Sequence, residues 1–158
     1  MVMRQLFLTI ALISIAMFPV WGQTPPVPDC SGAWALNVGK STLPKDSSIK
    51  SQSLVIEYKK GGIVFRYKTD GKKATETYIP DGKKRASMNT SSSQLTSSAS
   101  WRDSVLVIES TLDIKIPNAT VQVTGLKPIV DTWTLSPDGR TLTHDADDHK
   151  EIYVYEKQ

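Results

Sequence analysis

Cysteine and histidine are scarce in this chain, and past its N-terminus no apolar residues recur at helical spacing. Each shortage removes a class. A lone Cys30 forbids an intrachain disulfide and leaves a free thiol or a bond to another molecule. No zinc-site or thiol-nucleophile pattern accompanies it. Histidine is confined to His144 and His149, so any serine–histidine arrangement must recruit one of them, and no G-x-S-x-G elbow is present. Paired carboxylates for glycoside cleavage depend on a tertiary separation. The chain is read as a non-enzyme, with no catalytic residue assigned and no cofactor implied.

Charge of one sign is lacking too. The formal net charge is +3. The basic residues collect as Lys59-Lys60, Lys72-Lys73 and Lys83-Lys84-Arg85, each beside a glycine turn. Nucleic-acid binding asks for a strongly basic domain with aromatics among the cations, and these lysines read instead as strand-end groups that discourage edge pairing. Nucleic acid is not an expected partner.

What the N-terminus does hold is an export signal. Arg4 supplies a positive start, Leu6 to Phe18 is uncharged, and Pro19 ends the run. Val20 and Gly22 are the small residues a signal peptidase accepts before a cut, so cleavage is expected between Gly22 and Gln23. The run falls below the roughly 18 residues needed to span a bilayer, so no membrane span is expected after cleavage. Val27-Pro28-Asp29 puts a proline and a charge where a lipoprotein signal wants small apolar residues. The expected organisation is a signal peptide over 1–22, a flexible proline-rich lead-in over 23–30 and one domain over 31–158. The expected location is periplasmic or extracellular. Cys30, at the edge of the lead-in, reads as incidental.

The dominant period is two. Leu54, Ile56 and Tyr58 alternate with Val55, Glu57 and Lys59, and Ile63, Phe65 and Tyr67 with Val64, Arg66 and Lys68. Such alternation marks antiparallel strands with one buried face. Asp70-Gly71, Asp81-Gly82 and Asp138-Gly139 are hairpin signals, because these residues tolerate positive φ, and Lys60-Gly61-Gly62 makes a fourth. Strands are predicted near 32–38, 52–59, 62–69, 73–79, 83–89, 94–101, 104–116, 119–124, 129–136, 140–145 and 150–157. Pro117-Asn118 is a turn after the long seventh strand, and 40–48 is a loop. The serine-rich stretch 87–104 reads as strand because Leu95, Ala99 and Trp101 alternate with polar neighbours. Short strands with local connections close into a barrel or fold into a sandwich. Local hairpins favour the barrel.

Gly32-Ala33-Trp34, at the start of the first strand, resembles the G-x-W motif of the lipocalins and the wider calycin group. The resemblance implies an antiparallel up-and-down meander closed into a lipocalin-like β-barrel of about 8–10 strands. It implies that Trp34 packs across the closed end, that Gly32 gives the chain room to pass, and that Arg140 is the candidate for a late arginine on the tryptophan. S-G-A-W-A-L-N-V-G-K-S, D-T-W-T-L-S-P-D-G-R-T-L-T and I-Y-V-Y-E-K also resemble a family of uncharacterised exported bacterial β-proteins, described as lipocalin-like. No T-D-Y stretch is evident, and the resemblance leaves the middle of the chain unmatched.

Phe65, Tyr67, Tyr78, Trp101 and Trp133 are the candidate ligand-lining residues if the barrel is hollow, and core filling if it is not. His144, Asp145, Asp147, Asp148 and His149 fall within six positions and are a weak divalent-metal candidate. They sit where a hairpin must turn and lack a recognised ligand spacing, so no metal is assigned. Two functions stand: an exported barrel binding a small apolar molecule, or a filled cell-envelope domain for structure or protein interaction, its partner unspecified.

Overall fold

The computed structural model describes residues 27–90, 92–114, 126–146 and 149–158. The signal segment, the predicted strand 119–124, the Pro117-Asn118 turn, and Asp147 and Asp148 lie outside the described residues. Within them the protein is all-β, with ten strands: β1 Gly32–Leu36, β2 Gln52–Lys59, β3 Gly62–Thr69, β4 Lys72–Tyr78, β5 Arg85–Asn89, β6 Ser93–Arg102, β7 Val105–Ile114, β8 Ile129–Leu135, β9 Thr141–Ala146 and β10 Glu151–Lys157. A single 3₁₀ turn, Val38–Lys40, follows β1.

All ten belong to one antiparallel sheet, in the order β4-β3-β2-β1-β10-β9-β8-β7-β6-β5. This is an up-and-down meander whose first and last strands pair, Trp34 opposite Lys157 and Leu36 opposite Tyr155. The sheet curls into a half-barrel. Its edges, β4 and β5, exchange no ladder, although residues of both line the same clefts.

The turns show why. Asp70 and Gly71 take φ of 46° and 88°, the pair of positive values a tight hairpin requires, and β3 pairs with β4 from Thr69–Lys72 onward. Asp81-Gly82, expected to make a similar hairpin, does not. Pro80 removes a ladder donor at the end of β4. Asp81 then bridges to Ser100 of β6, and the Gly82 N–H donates to the Ala99 carbonyl at 2.8 Å. The Asp81 carboxylate accepts both Arg85 guanidinium nitrogens at 2.7 Å. The chain is therefore tied to β6 instead of turning back on β4. Both edges are exposed along nearly their whole length, and the lysines of β4 and the arginine of β5 suit strands that must not recruit another chain.

Inward-facing residues divide the interior into two ends. At the closed end Cys30, Trp34, Ile56, Ile63, Leu106 and Leu142 pack in one buried cluster with Leu54, Phe65, Ala99, Ile108, Trp133 and Tyr155. Trp34 has no exposed surface, and its Nε1 donates to the Cys30 carbonyl at 3.0 Å. The cation over its ring is Lys157, with Nζ 5.4 Å from the centroid; this takes the place expected for Arg140, whose carbonyl accepts the Lys157 N–H. Gly32 also departs from its expected role. A Cβ there would meet only the Lys157 Cε, at an ordinary 3.5 Å, but its φ is +123°. Glycine is needed for that backbone conformation, not for a close pass. The close pass is at Gly62, where a Cβ would lie 2.6 Å from the Tyr78 carbonyl oxygen.

Candidate functional site

The register carries the same inward parity past the apolar cluster toward the other end. There Gln52 follows from Leu54, Thr69 from Tyr67, Glu76 from Tyr78, Asp131 from Trp133, and Glu151 from Tyr153. Each stands two residues from an inward aromatic or aliphatic neighbour, so strand alternation turns it to the same face. Together with Ala74, Ile108, His144 and Tyr155 these residues line a cavity of about 370 Å³. A second cleft, of about 500 Å³, shares Glu76, Tyr78 and Asp131 with it and runs between the sheet edges along the hydroxyls of Thr75, Thr77, Ser87, Ser97 and Ser110.

Tyr67, Tyr78 and Trp133, three of the five aromatic candidates, line the cavity. Phe65 lies buried beneath them and touches all three, edge-on to Tyr78 at 5.7 Å between centroids and 4.9 Å from Trp133. Trp101 is at the closed end, around a void of about 10 Å³ with Cys30, Ile56 and Leu106. The cavity floor is therefore the top of the core.

His144 lies in a strand, as the predicted strand 140–145 has it, and not in the turn where the metal-candidate run was placed. It lies in β9 opposite Tyr153 and stacks flat on Trp133, with centroids 4.1 Å apart and planes 2° from parallel. The Tyr153 ring lies 5.4 Å from it. Burial pushes the imidazole down to about 4, against a smaller opposing pull from Asp145, so it is neutral at pH 7. Its Nε2 is 4.0 Å from Asp131 Oδ1. Asp145 is the next residue along the strand and so faces the opposite way, where its carboxylate meets His149 Nδ1. The two imidazoles thus belong to separate environments, and the described residues contain no group of three metal-capable side chains.

Gln52, Glu76, Asp131 and Glu151 carry no motif in the sequence that marks them as cavity residues. The signal was their parity: Glu76, Asp131 and Glu151 interrupt the inward faces of β4, β8 and β10. The Tyr78 hydroxyl donates to Glu76 at 3.1 Å, Tyr153 to Glu151 at 2.8 Å, and Tyr155 to Gln52 Oε1 at 2.5 Å. Burial, and then neighbouring charge, raises the Tyr67 and Tyr78 phenols and pushes Tyr153 up to about 12. All three are neutral donors in the physiological range.

Cys30, read as incidental, is 5% exposed and part of the core. Burial raises its thiol pKa.

No family model and no curated protein sequence matches the chain. Solved structures do. The REP1-NXSQ fatty acid transporter is 12% identical with a TM-score of 0.54, over 82% of this chain and 96% of that one. A point mutant of the same transporter is 10% identical with the same TM-score, over 82% and 98%. A point mutant of the fluorescent protein UnaG is 13% identical, also at 0.54, over 81% and 95%. The likeness is one of fold, the curled antiparallel meander.

Proposed function

We propose that the chain is an exported binding protein that holds one small organic molecule with an apolar or aromatic body. The observation that carries this reading is the cavity of about 370 Å³ walled by Tyr67, Tyr78, Trp133, Tyr153 and Tyr155. Small-molecule sites are concave, run from roughly 300 to 1,000 Å³, and combine aromatic walls with a few placed polar groups. The fold neighbours include a protein named as a fatty acid transporter, which supports carriage over chemistry. Export to the periplasm or beyond rests on Arg4, the Leu6–Phe18 run and the Val20 and Gly22 cut site.

The alternative, a filled envelope platform, has support from the closed end, where the aromatics interlock around almost no free space. It offers no reason for the acceptor-rich hollow above them. Native mass spectrometry of the chain purified from its own cell envelope tests the choice, with a co-purifying molecule expected. Ala74→Trp should plug the cavity wall and lose that molecule while melting at the wild-type temperature. A chain that carries nothing, and whose melting is unmoved by any amphiphile, belongs to the platform reading.

A further inference from the structure

The polar wall of the cavity is acidic. Among the described residues lining it, Glu76, Asp131 and Glu151 are carboxylic and none is lysine or arginine. His144 supplies no cation at neutral pH, being held neutral by burial.

Three of the four tyrosine donors lining the cavity are already committed. Tyr78 and Tyr153 give their hydroxyl protons to Glu76 and Glu151, and Tyr155 gives its proton to Gln52. A phenol so engaged has no second proton for an incoming anion. A carboxylate, with about four lone-pair positions, keeps room for further donors after accepting one. The charges also converge. The phenols of Tyr67, Tyr78 and Tyr155 all sense Glu76, and those of Tyr78 and Tyr153 both sense Asp131. Aromatic faces beside carboxylates attract a desolvated cation through both the ring quadrupole and direct charge.

We infer that the cavity selects organic cations: ligands with an apolar or aromatic body and an ammonium-type head, in preference to carboxylates of the same length. This rests on the binding reading above and names its ligand class.

The test uses three eight-carbon amphiphiles that differ in the head: octyltrimethylammonium, octanol and octanoate. Each is titrated below its micellar concentration into the chain at pH 7, and binding is read by calorimetry and tryptophan emission. Octyltrimethylammonium should bind about tenfold more tightly than octanoate, with octanol between them. The isosteric Glu76→Gln, Glu151→Gln double variant should bring the cation-to-anion ratio close to unity and still bind octanol. Octanol binding is thus an internal check that the variant is folded. Should the double variant fold poorly, each single variant should lower the ratio severalfold.

Octanoate binding as tightly as the cation, or more tightly, overturns the inference while the binding reading stands. So does a ratio that survives the double substitution. Failure of all three to bind overturns the binding reading itself, and the inference with it.

Discussion

The indole nitrogen of Trp34 donates to the backbone carbonyl of Cys30, four residues earlier, across 3.0 Å of buried space. This one bond ties the segment before β1 to the closed end of the sheet. It also explains why a segment expected to be a loose lead-in contributes a core residue. Trp34→Ala should destabilise the chain by about 3–5 kcal/mol, the usual cost of deleting a buried large aromatic. Trp34→Phe keeps most of the packing but orphans the carbonyl, and should cost about 1–3 kcal/mol. Urea melts of the two variants check the order; a Trp34→Ala melt near wild type would show that the indole is not a closure.

Cys30 should behave as a core residue. Its thiol is buried and its pKa is raised chiefly by that burial, so the reactive thiolate is scarce. Iodoacetamide at pH 8 should label it slowly in the folded chain and at the rate of a free thiol in denaturant. Equal rates in both would place Cys30 at the surface.

Two glycines separate backbone conformation from space. Gly32 needs its φ of +123°, so Gly32→Ala carries strain of about 1–3 kcal/mol. Gly62→Ala drives a Cβ into the Tyr78 carbonyl on the neighbouring strand, a backbone contact that no rotamer relieves, at about 1–3 kcal/mol. Gly39→Ala is the control, since its Cβ would meet only Asn37 Oδ1 at 3.6 Å, and it should stay within about 0.5 kcal/mol of wild type. Thermal melts that failed to rank Gly39→Ala as the mildest would sink the argument.

Strand positions were legible wherever one face is buried. Gln52–Lys59 and Gly62–Thr69 follow directly from the alternation of Leu54, Ile56, Ile63 and Phe65, because a one-residue slip would expose the whole set. Asp81-Gly82 was less legible because a dipeptide encodes local φ and not the strand it leads to; Pro80 and the Asp81–Arg85 pair decide that. The candidate site was half legible. Aromatic residues announce themselves, whereas Glu76 and Asp131 look like surface charges until parity with Tyr78 and Trp133 turns them inward. His144 was hidden by its neighbours: read as part of a polar six-residue run it suggests a turn, but read two positions after Leu142 it belongs to the inner face.

Export is a prediction of the N-terminal sequence. The chain recovered from outside the cytoplasm should begin near Gln23 by N-terminal sequencing. An intact Met1 on chain recovered from a membrane pellet would indicate a retained anchor instead.

The neutral His144 makes stability depend on pH in a direction that can be worked out. Its pKa falls from 6.5 to about 4 on folding, chiefly through burial, between the rings of Trp133 and Tyr153. The unfolded chain therefore takes up a proton near pH 6.5, while the folded chain resists until about pH 4. Above pH 6.5 neither state is protonated there, and the contribution of His144 to stability is fully present. As pH falls from 6.5 toward 4 it is lost, at a cost of up to about 3 kcal/mol. Asp145 on the same strand pulls the other way, and Asp131 lies 4.0 Å from the ring; relaxation toward either carboxylate would reduce the loss. His144→Phe keeps an aromatic ring on Trp133 and cannot titrate. Denaturant midpoints between pH 7 and 4.5 should fall faster in wild type than in His144→Phe. Parallel profiles would mean that His144 takes up its proton in the folded chain as readily as in the unfolded one.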